Sequence, residues 1–139
     1  MLPLDIALKE YGTLELVGKE HNPRILQYFK EIGHSWVRDD ETAWCAAFVN
    51  WCLMKAGLQH TGKLNARSFL EYGIPSASPK LGDLVVLWRI QKQGAYGHVG
   101  FYISETENTI FILAGNQTNG VNIQEHSKRY LLGFRKIPE

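Results

Sequence analysis

One cysteine in this sequence has the local surroundings of a nucleophile. Cys45 falls in the first turn of the strongest predicted helix. Unpaired backbone N–H groups and the helix dipole favour a thiolate there and lower the pKa of a thiol. The alternative interpretation is a core residue, because free cysteine is among the most buried residue types. Cys52 lies two turns later, roughly 10 Å along the axis, which is too far for a disulfide, and we interpret it as core.

His98 is the candidate general base. It opens a predicted strand directly after a segment with two glycines, Gly94–Gly97. A thiol and an imidazole can form an ion pair that activates the sulfur and protonates a leaving amine. The alternative is a structural histidine at the start of a strand. The remaining histidines lie in polar surroundings and are interpreted as solvated: His21, His34, His60 and His126.

A third polar position is expected on the strand that pairs with the one carrying His98. Asn116 follows His98 by one strand, one turn and one return strand, so a hairpin places the two residues side by side. A side-chain carbonyl at this point can accept the imidazole N–H and fix its tautomer. Gln117 supplies a second amide beside it. The alternative for Asn116 is an ordinary turn residue.

Five residues are candidate substrate contacts. Trp44 precedes Cys45 and could wall a cleft. Asp40 and Glu41 could meet a substrate amine, with helix capping as their alternative role. Tyr96 and Gln117 lie beside His98 and Asn116 in the sequence. No CxxC, HExxH or glycine-rich phosphate loop is present, so the sequence predicts neither a metal site nor a nucleotide cofactor.

Composition excludes several functional classes. The 139 residues correspond to one domain, 1–139. A net charge of +1 disfavours nucleic acid as a partner. The most apolar stretch, 43–54, is shorter than the roughly 20 residues of a membrane span. The first ten residues do not form a Sec signal peptide, so we expect synthesis in the cytoplasm without one.

The predicted elements change type along the chain. Helices dominate the first half and strands with short turns the second, which indicates an α+β fold with an antiparallel sheet. The predicted helices cover Leu4–Tyr11, a segment that starts at Asn22-Pro23 and ends at Gly33, a segment that Gly57 closes, and Ala66–Tyr72. The predicted strands are Asp83–Arg89, His98–Ser104, Thr109–Ala114, Val121–Gln124 and Leu131–Lys136.

Four motifs in this order resemble the papain-like cysteine peptidases and amidases of the NlpC and CHAP type. They are ETAWCAAFVNWCL, LGDLVVLW, GHVGFY and ILAGNQ. The segments HNPRILQYFKEIG and LLGFRKIP extend the resemblance over nearly the whole chain. Within this group, the sequence is most similar to a small single-domain subfamily of phage lysis proteins and antibacterial cell-wall toxins.

The resemblance implies a papain-like fold, with N-terminal helices packed on a C-terminal antiparallel sheet. It also implies hydrolysis of an amide bond in bacterial peptidoglycan through a thioester acyl-enzyme. Cys45 would be the nucleophile, His98 the base and Asn116 the third polar residue. The protein would act in the periplasm or cell wall, either as an endolysin after holin-type release or as an injected effector. An effector implies an immunity protein as partner.

Two other functions stay open at this point. A transferase or deamidase would use the same residues on protein side chains and differ in the acceptor. A non-catalytic wall-binding module would use the cleft without turnover, and it predicts that the Cys45 thiol is unreactive.

Overall fold

The computed structural model describes residues 1–16, 21–37 and 43–138, with three α-helices followed by six strands. This order confirms the predicted α+β class. The helices are α1 (Pro3–Lys9), α2 (Pro23–Glu31) and α3 (Cys45–Lys55), and short 3₁₀ helices cover Ala66–Glu71 and Lys128–Tyr130. The strands are β1 (Ile74–Ser76), β2 (Leu84–Trp88), β3 (Gly97–Glu105), β4 (Thr109–Gln117), β5 (Gly120–Ser127) and β6 (Leu131–Lys136).

The start of α2 follows directly from its sequence. Pro23 occupies the first helical position, and the Asn22 side chain accepts a hydrogen bond of 2.8 Å from the backbone N–H of Arg24. Both features stabilise a helix N-terminus. Proline has no backbone N–H that could remain unpaired, and the asparagine side chain accepts a hydrogen bond from an N–H that would otherwise lack a partner.

The six strands form one antiparallel sheet in the order β1-β6-β2-β3-β4-β5. Five of them match the predicted strands within a few residues at each end. Strand β1, which is three residues long and contains Pro75, is not among the predicted strands. Proline is tolerated at a sheet edge, and β1 is one of the two edge strands, with β6 as its neighbour in the sheet.

Helix α3 lies against β3 and β4, and it is buried from Cys45 to Leu53. Residues on all sides of the helix are therefore enclosed. Its one buried amide, Asn50, is satisfied: it accepts from the backbone N–H of Thr61 at 2.9 Å and donates to the carbonyl of Lys63 at 2.9 Å. None of the described helices is both long and apolar enough to cross a membrane.

Side chains of the sheet divide between two core clusters. Leu84, Val86 and Val99 pack with the helices. The alternate residues Val85 and Leu87 belong to a second cluster. Successive side chains of a strand point to opposite faces, so this second cluster covers the face of the sheet away from α3.

Glycine at position 115 allows α3 to approach β4 closely. A Cβ atom there would lie 2.5 Å from the ring of Trp44, the residue that precedes α3. The two residues that follow Gly115 at the end of β4 are the candidate amides Asn116 and Gln117, so this close approach also affects their position.

Candidate active site

Cys45 is the first residue of α3, as the sequence predicts, but its thiol is only 4% exposed. Burial raises the pKa of the Cys45 thiol above its ordinary value. Backbone N–H groups of Val99 and Ala46 and the positive charge of Arg89 act in the opposite direction. The expected lowering of the pKa is therefore wrong for this structure, because desolvation outweighs the helix N-terminus.

Cys52 lies in the core on the same helix. Both cysteines are free thiols and both are buried, which matches the interpretation that they do not form a disulfide. Burial raises the pKa of Cys52 well above its ordinary value.

A cavity of about 590 Å³ opens at one end of the sheet, where β2 ends, β3 begins and β4 turns into β5. It contains His98 together with both candidate amides, Asn116 and Gln117. Cys45 and Trp44 are not among its lining residues. The other lining residues are Leu87, Trp88, Arg89, Ile90, Thr118, Asn119, Gln124, His126 and Tyr130.

The amide that contacts His98 belongs to Gln117. The distance from His98 Nε2 to Gln117 Oε1 is 3.0 Å, and both side chains are buried. Asn116 lies next to it and is half-buried, and no hydrogen bond joins it to His98 in the described part of the chain. The orienting interaction that the sequence analysis placed at Asn116 is thus made one residue later.

The backbone explains this offset of one residue. Asn116 has a φ of 59°, in the left-handed region, and the pairing of β4 with β5 shifts register between Ala114 and Gln117. A left-handed residue interrupts the alternation of a strand, so the usual count along β4 no longer predicts which side chain faces a neighbour. Asn122 stabilises the shifted conformation, since its Nδ2 donates to the carbonyl of Gln117 at 2.7 Å.

Neighbouring carbonyls determine the orientation of the Gln117 amide. Its Nε2 donates to the carbonyls of Asn122 (2.8 Å) and Ile112 (3.1 Å). Its Oε1 consequently faces the imidazole. A carbonyl oxygen only accepts hydrogen bonds, so the proton of His98 lies on Nε2 and its Nδ1 carries a free electron pair.

His98 is neutral at physiological pH. Burial lowers the pKa of its imidazole to about 4, the charge of Arg89 lowers it as well, and the hydrogen bond to Gln117 acts against both. The link between the two residues is through the backbone: the N–H of Val99, the residue after His98, is hydrogen-bonded to the Cys45 sulfur. Within the described chain no hydrogen bond joins the sulfur to the imidazole, and both groups are neutral at rest.

The five candidate substrate contacts lie in different environments in the structure. Gln117 lines the cavity. Trp44 is wholly buried, packs against Tyr28, and donates from Nε1 to Glu15, so it belongs to the core and does not wall a cleft. Tyr96 is 65% exposed and lies outside the cavity lining. The other two candidates, Asp40 and Glu41, lie outside the described residues.

Arg67 is a positioning residue that the sequence analysis did not find. Its guanidinium donates to the carbonyls of Tyr96 (3.0 Å), Lys92 (2.9 Å) and Gln91 (2.8 Å). These three residues form the segment that leads into β3, so Arg67 holds the backbone from which His98 projects. Nothing in the sequence near Arg67 indicates this contact, because it joins residues more than 20 positions apart.

His126 is a second residue that the sequence analysis missed. Its solvated interpretation is wrong: it lies on β5, lines the cavity, and its Nε2 is 2.7 Å from Gln117 Oε1. The alternation of polar residues Asn122, Gln124 and His126 along β5 was the available signal, since alternate residues of a strand share one face. In the described chain, no three His, Cys, Asp or Glu side chains are grouped closely enough to hold a metal ion.

Comparison with known families identifies the chain. The family model described as the CHAP domain matches residues 37–116, which contain Cys45, His98 and Asn116. The chain belongs to the CHAP family. CHAP domains are typically amidase or peptidase hydrolases, and the family is related to peptidoglycan.

One solved structure similar to this CHAP domain is a protein "similar to lipoprotein, NLP/P60 family" from Staphylococcus aureus subsp. aureus Mu50. The match has 20% sequence identity and a TM-score of 0.54, and it covers 99% of this chain and 41% of the other. The two proteins therefore share a fold over nearly the whole of this chain, and this chain spans less than half the length of the staphylococcal one. A search of curated proteins finds no match.

Proposed function

We propose that this CHAP domain hydrolyses an amide bond of bacterial peptidoglycan, with Cys45 as nucleophile and His98 as general base. The observation that supports this proposal is the orientation of His98: Gln117 holds Nε2–H, and Nδ1 stays free to take a proton. A base needs such a free electron pair near the proton it removes.

In the first half of the reaction, the Cys45 S–H proton moves to His98 Nδ1 while the sulfur attacks the substrate carbonyl carbon. The backbone N–H of Cys45, at the start of α3, stabilises the oxyanion. Both groups are neutral at rest, so proton transfer accompanies attack. The thiol and the imidazole approach each other when substrate binds, as catalytic hydrogen bonds commonly shorten in the Michaelis complex.

In the second half, the protonated His98 gives its proton to the leaving amine as the C–N bond breaks. A thioester on Cys45 remains. His98 then removes a proton from water, which attacks the thioester and releases the carboxylic acid and the free thiol. Gln117 keeps its hydrogen bond to Nε2 throughout and stabilises the imidazolium that forms in each half.

Digestion of purified sacculi tests the proposal. We expect wild type to release soluble muropeptides and Cys45→Ala to release none. Cys52→Ala is the matched control, because it removes a thiol from the same helix away from the cavity, and it should retain activity. Identical muropeptide profiles from wild type and Cys45→Ala would contradict the proposal.

Product masses separate hydrolysis from the alternatives. Hydrolysis adds one water per bond cut, whereas a transferase joins an amine at the same carbonyl. A binding module would retain sacculi and change no mass. The same spectra identify the bond, since cleavage between sugar and peptide, within the stem, or in a cross-link gives products of different mass.

We also propose that the enzyme acts on the wall after holin-type release or after injection by a secretion system. The similarity to the lysis and toxin subfamily supports this setting. The neighbouring genes distinguish the two routes: a holin gene indicates lysis, and a gene for a small immunity protein indicates an effector.

A further inference from the structure

His126 shares its hydrogen-bond acceptor with the proposed catalytic base. Gln117 Oε1 lies 2.7 Å from His126 Nε2 and 3.0 Å from His98 Nε2. The two imidazole rings lie 5.3 Å apart between centroids, with 35° between their planes. The shorter of the two contacts thus belongs to the histidine that the catalytic scheme does not use.

The acceptor has a single possible orientation. The Nε2 of Gln117 donates to two backbone carbonyls, of Ile112 and Asn122, and to Asn122 Oδ1 at 3.2 Å. Rotating the amide would place its oxygen against three acceptors and its N–H groups against two imidazole N–H groups. The two electron pairs of Oε1 are therefore filled by two donors, His98 Nε2–H and His126 Nε2–H.

Removal of one donor would change the position of the other. With His126 absent, Oε1 has one free electron pair and open space beside it in the cavity that both side chains line. The amide and the His98 ring could then turn toward that space, and His98 could adopt the other tautomer, with the proton on Nδ1. A proton on Nδ1 blocks the position that must accept the thiol proton.

We propose that His126 is a positioning residue, which fills the second electron pair of Gln117 Oε1 and thereby keeps His98 in the Nε2–H tautomer with Nδ1 available as base. This role deepens the proposed function, on which its kinetic part rests. His126 needs no contact with substrate to perform it. The donor, and not the charge, is what matters, because burial keeps His126 neutral at physiological pH.

Two variants separate the hydrogen bond from the rest of the side chain. His126→Leu removes the donor and keeps an apolar group of similar size. His126→Gln restores an N–H donor at nearly the same distance along the side chain and cannot titrate. Glu125→Gln is the control on the same strand, because Glu125 is exposed and contacts Thr109 outside the cavity.

The first measurement is the tautomer of His98, read from ¹⁵N chemical shifts of the imidazole at pH 7 in each variant. We expect pure Nε2–H in wild type, in Glu125→Gln and in His126→Gln, and a mixture with Nδ1–H in His126→Leu. This result does not depend on turnover, so it tests the positioning role even if wild type fails to cleave sacculi. An unchanged tautomer in His126→Leu would overturn the proposal.

The second measurement is steady-state kinetics on solubilised peptidoglycan. His126→Leu should lower kcat by at least about tenfold with little change in KM, as expected when a base holds the wrong tautomer. His126→Gln should recover most of kcat. Equal loss in both variants would contradict the role as hydrogen-bond donor, and a change confined to KM would indicate a substrate contact instead. If His126→Leu does not fold, the rescued variant His126→Gln with wild-type kcat still supports the proposal, and an inactive folded His126→Gln refutes it.

Discussion

At the scale of single residues, the two adjacent amides at the end of β4 have separable roles. Gln117→Leu removes the acceptor for His98, so we expect kcat on sacculi to fall by at least about tenfold, because the imidazole loses its orientation. Asn116→Gly removes the neighbouring amide while keeping the left-handed backbone available. It should have a much smaller effect on kcat. A larger loss in Asn116→Gly would assign the orienting role to Asn116.

Arg89 contributes to the electrostatic environment of His98 and Cys45. Its positive charge lowers the pKa of both His98 and Cys45. Arg89→Gln should therefore raise the pKa of His98 above its present value of about 4, and the acid limb of kcat/KM should move to higher pH. Arg89→Lys keeps the charge and should shift neither. A titration of His98 by NMR in the three proteins checks the direction.

The sequence predicts which residues belong to the candidate site better than it predicts the burial and contacts of those residues. The positions of Cys45 at a helix start and of His98 at a strand start follow from local patterns. The pKa of Cys45 does not, because burial is a property of the assembled core. The choice of Gln117 over Asn116 depends on one left-handed residue in a register shift, which strand alternation cannot predict.

At the scale of elements, the segment before β3 depends on one side chain from the 3₁₀ helix. Arg67→Met keeps the aliphatic stem and removes three hydrogen bonds to backbone carbonyls. We expect faster amide exchange over residues 91–97 and a loss of about 1–3 kcal/mol in the free energy of unfolding. Hydrogen–deuterium exchange by mass spectrometry and urea unfolding measure these effects. Unchanged exchange in this segment would show that it is held by its other contacts.

Element boundaries can be predicted from the sequence where local interactions determine them, and not where tertiary contacts do. The N-cap at Asn22 and the bounds of β6 follow from the sequence alone. The edge strand β1 does not, because its pairing with β6 outweighs the unfavourable Pro75. The enclosure of helix α3 by α1, α2 and the sheet is likewise a tertiary arrangement that no local pattern predicts.

At the scale of the whole molecule, the buried imidazole of His98 and the half-buried imidazole of His126 couple stability to pH. The pKa values of His98 and His126 are both lowered to about 4 in the folded protein, whereas an unfolded histidine titrates near 6.5. The unfolded chain therefore binds more protons between these values. We expect the contribution of these two histidines to the free energy of unfolding to be constant above about pH 7 and to fall as the pH decreases from about 6.5 toward 4.

Urea unfolding at pH 7.5 and pH 5 measures this dependence. The double variant of His98→Gln and His126→Gln should flatten it, since neither side chain then binds a proton. Carboxylates with lowered pKa values, such as Glu31 at about 2, contribute mainly below about pH 5. A slope of the same size in the double variant would assign the effect to other groups.

The enclosed, protonated thiol of Cys45 has a consequence for the durability of the protein. Oxidants and alkylating agents react with exposed thiolates, and at rest this sulfur is neither exposed nor ionised. Peroxide or iodoacetamide should therefore modify it slowly until a conformational change exposes the sulfur. An unreactive cysteine in the isolated protein would, for this reason, be a sign of protection during storage and not of a lost activity.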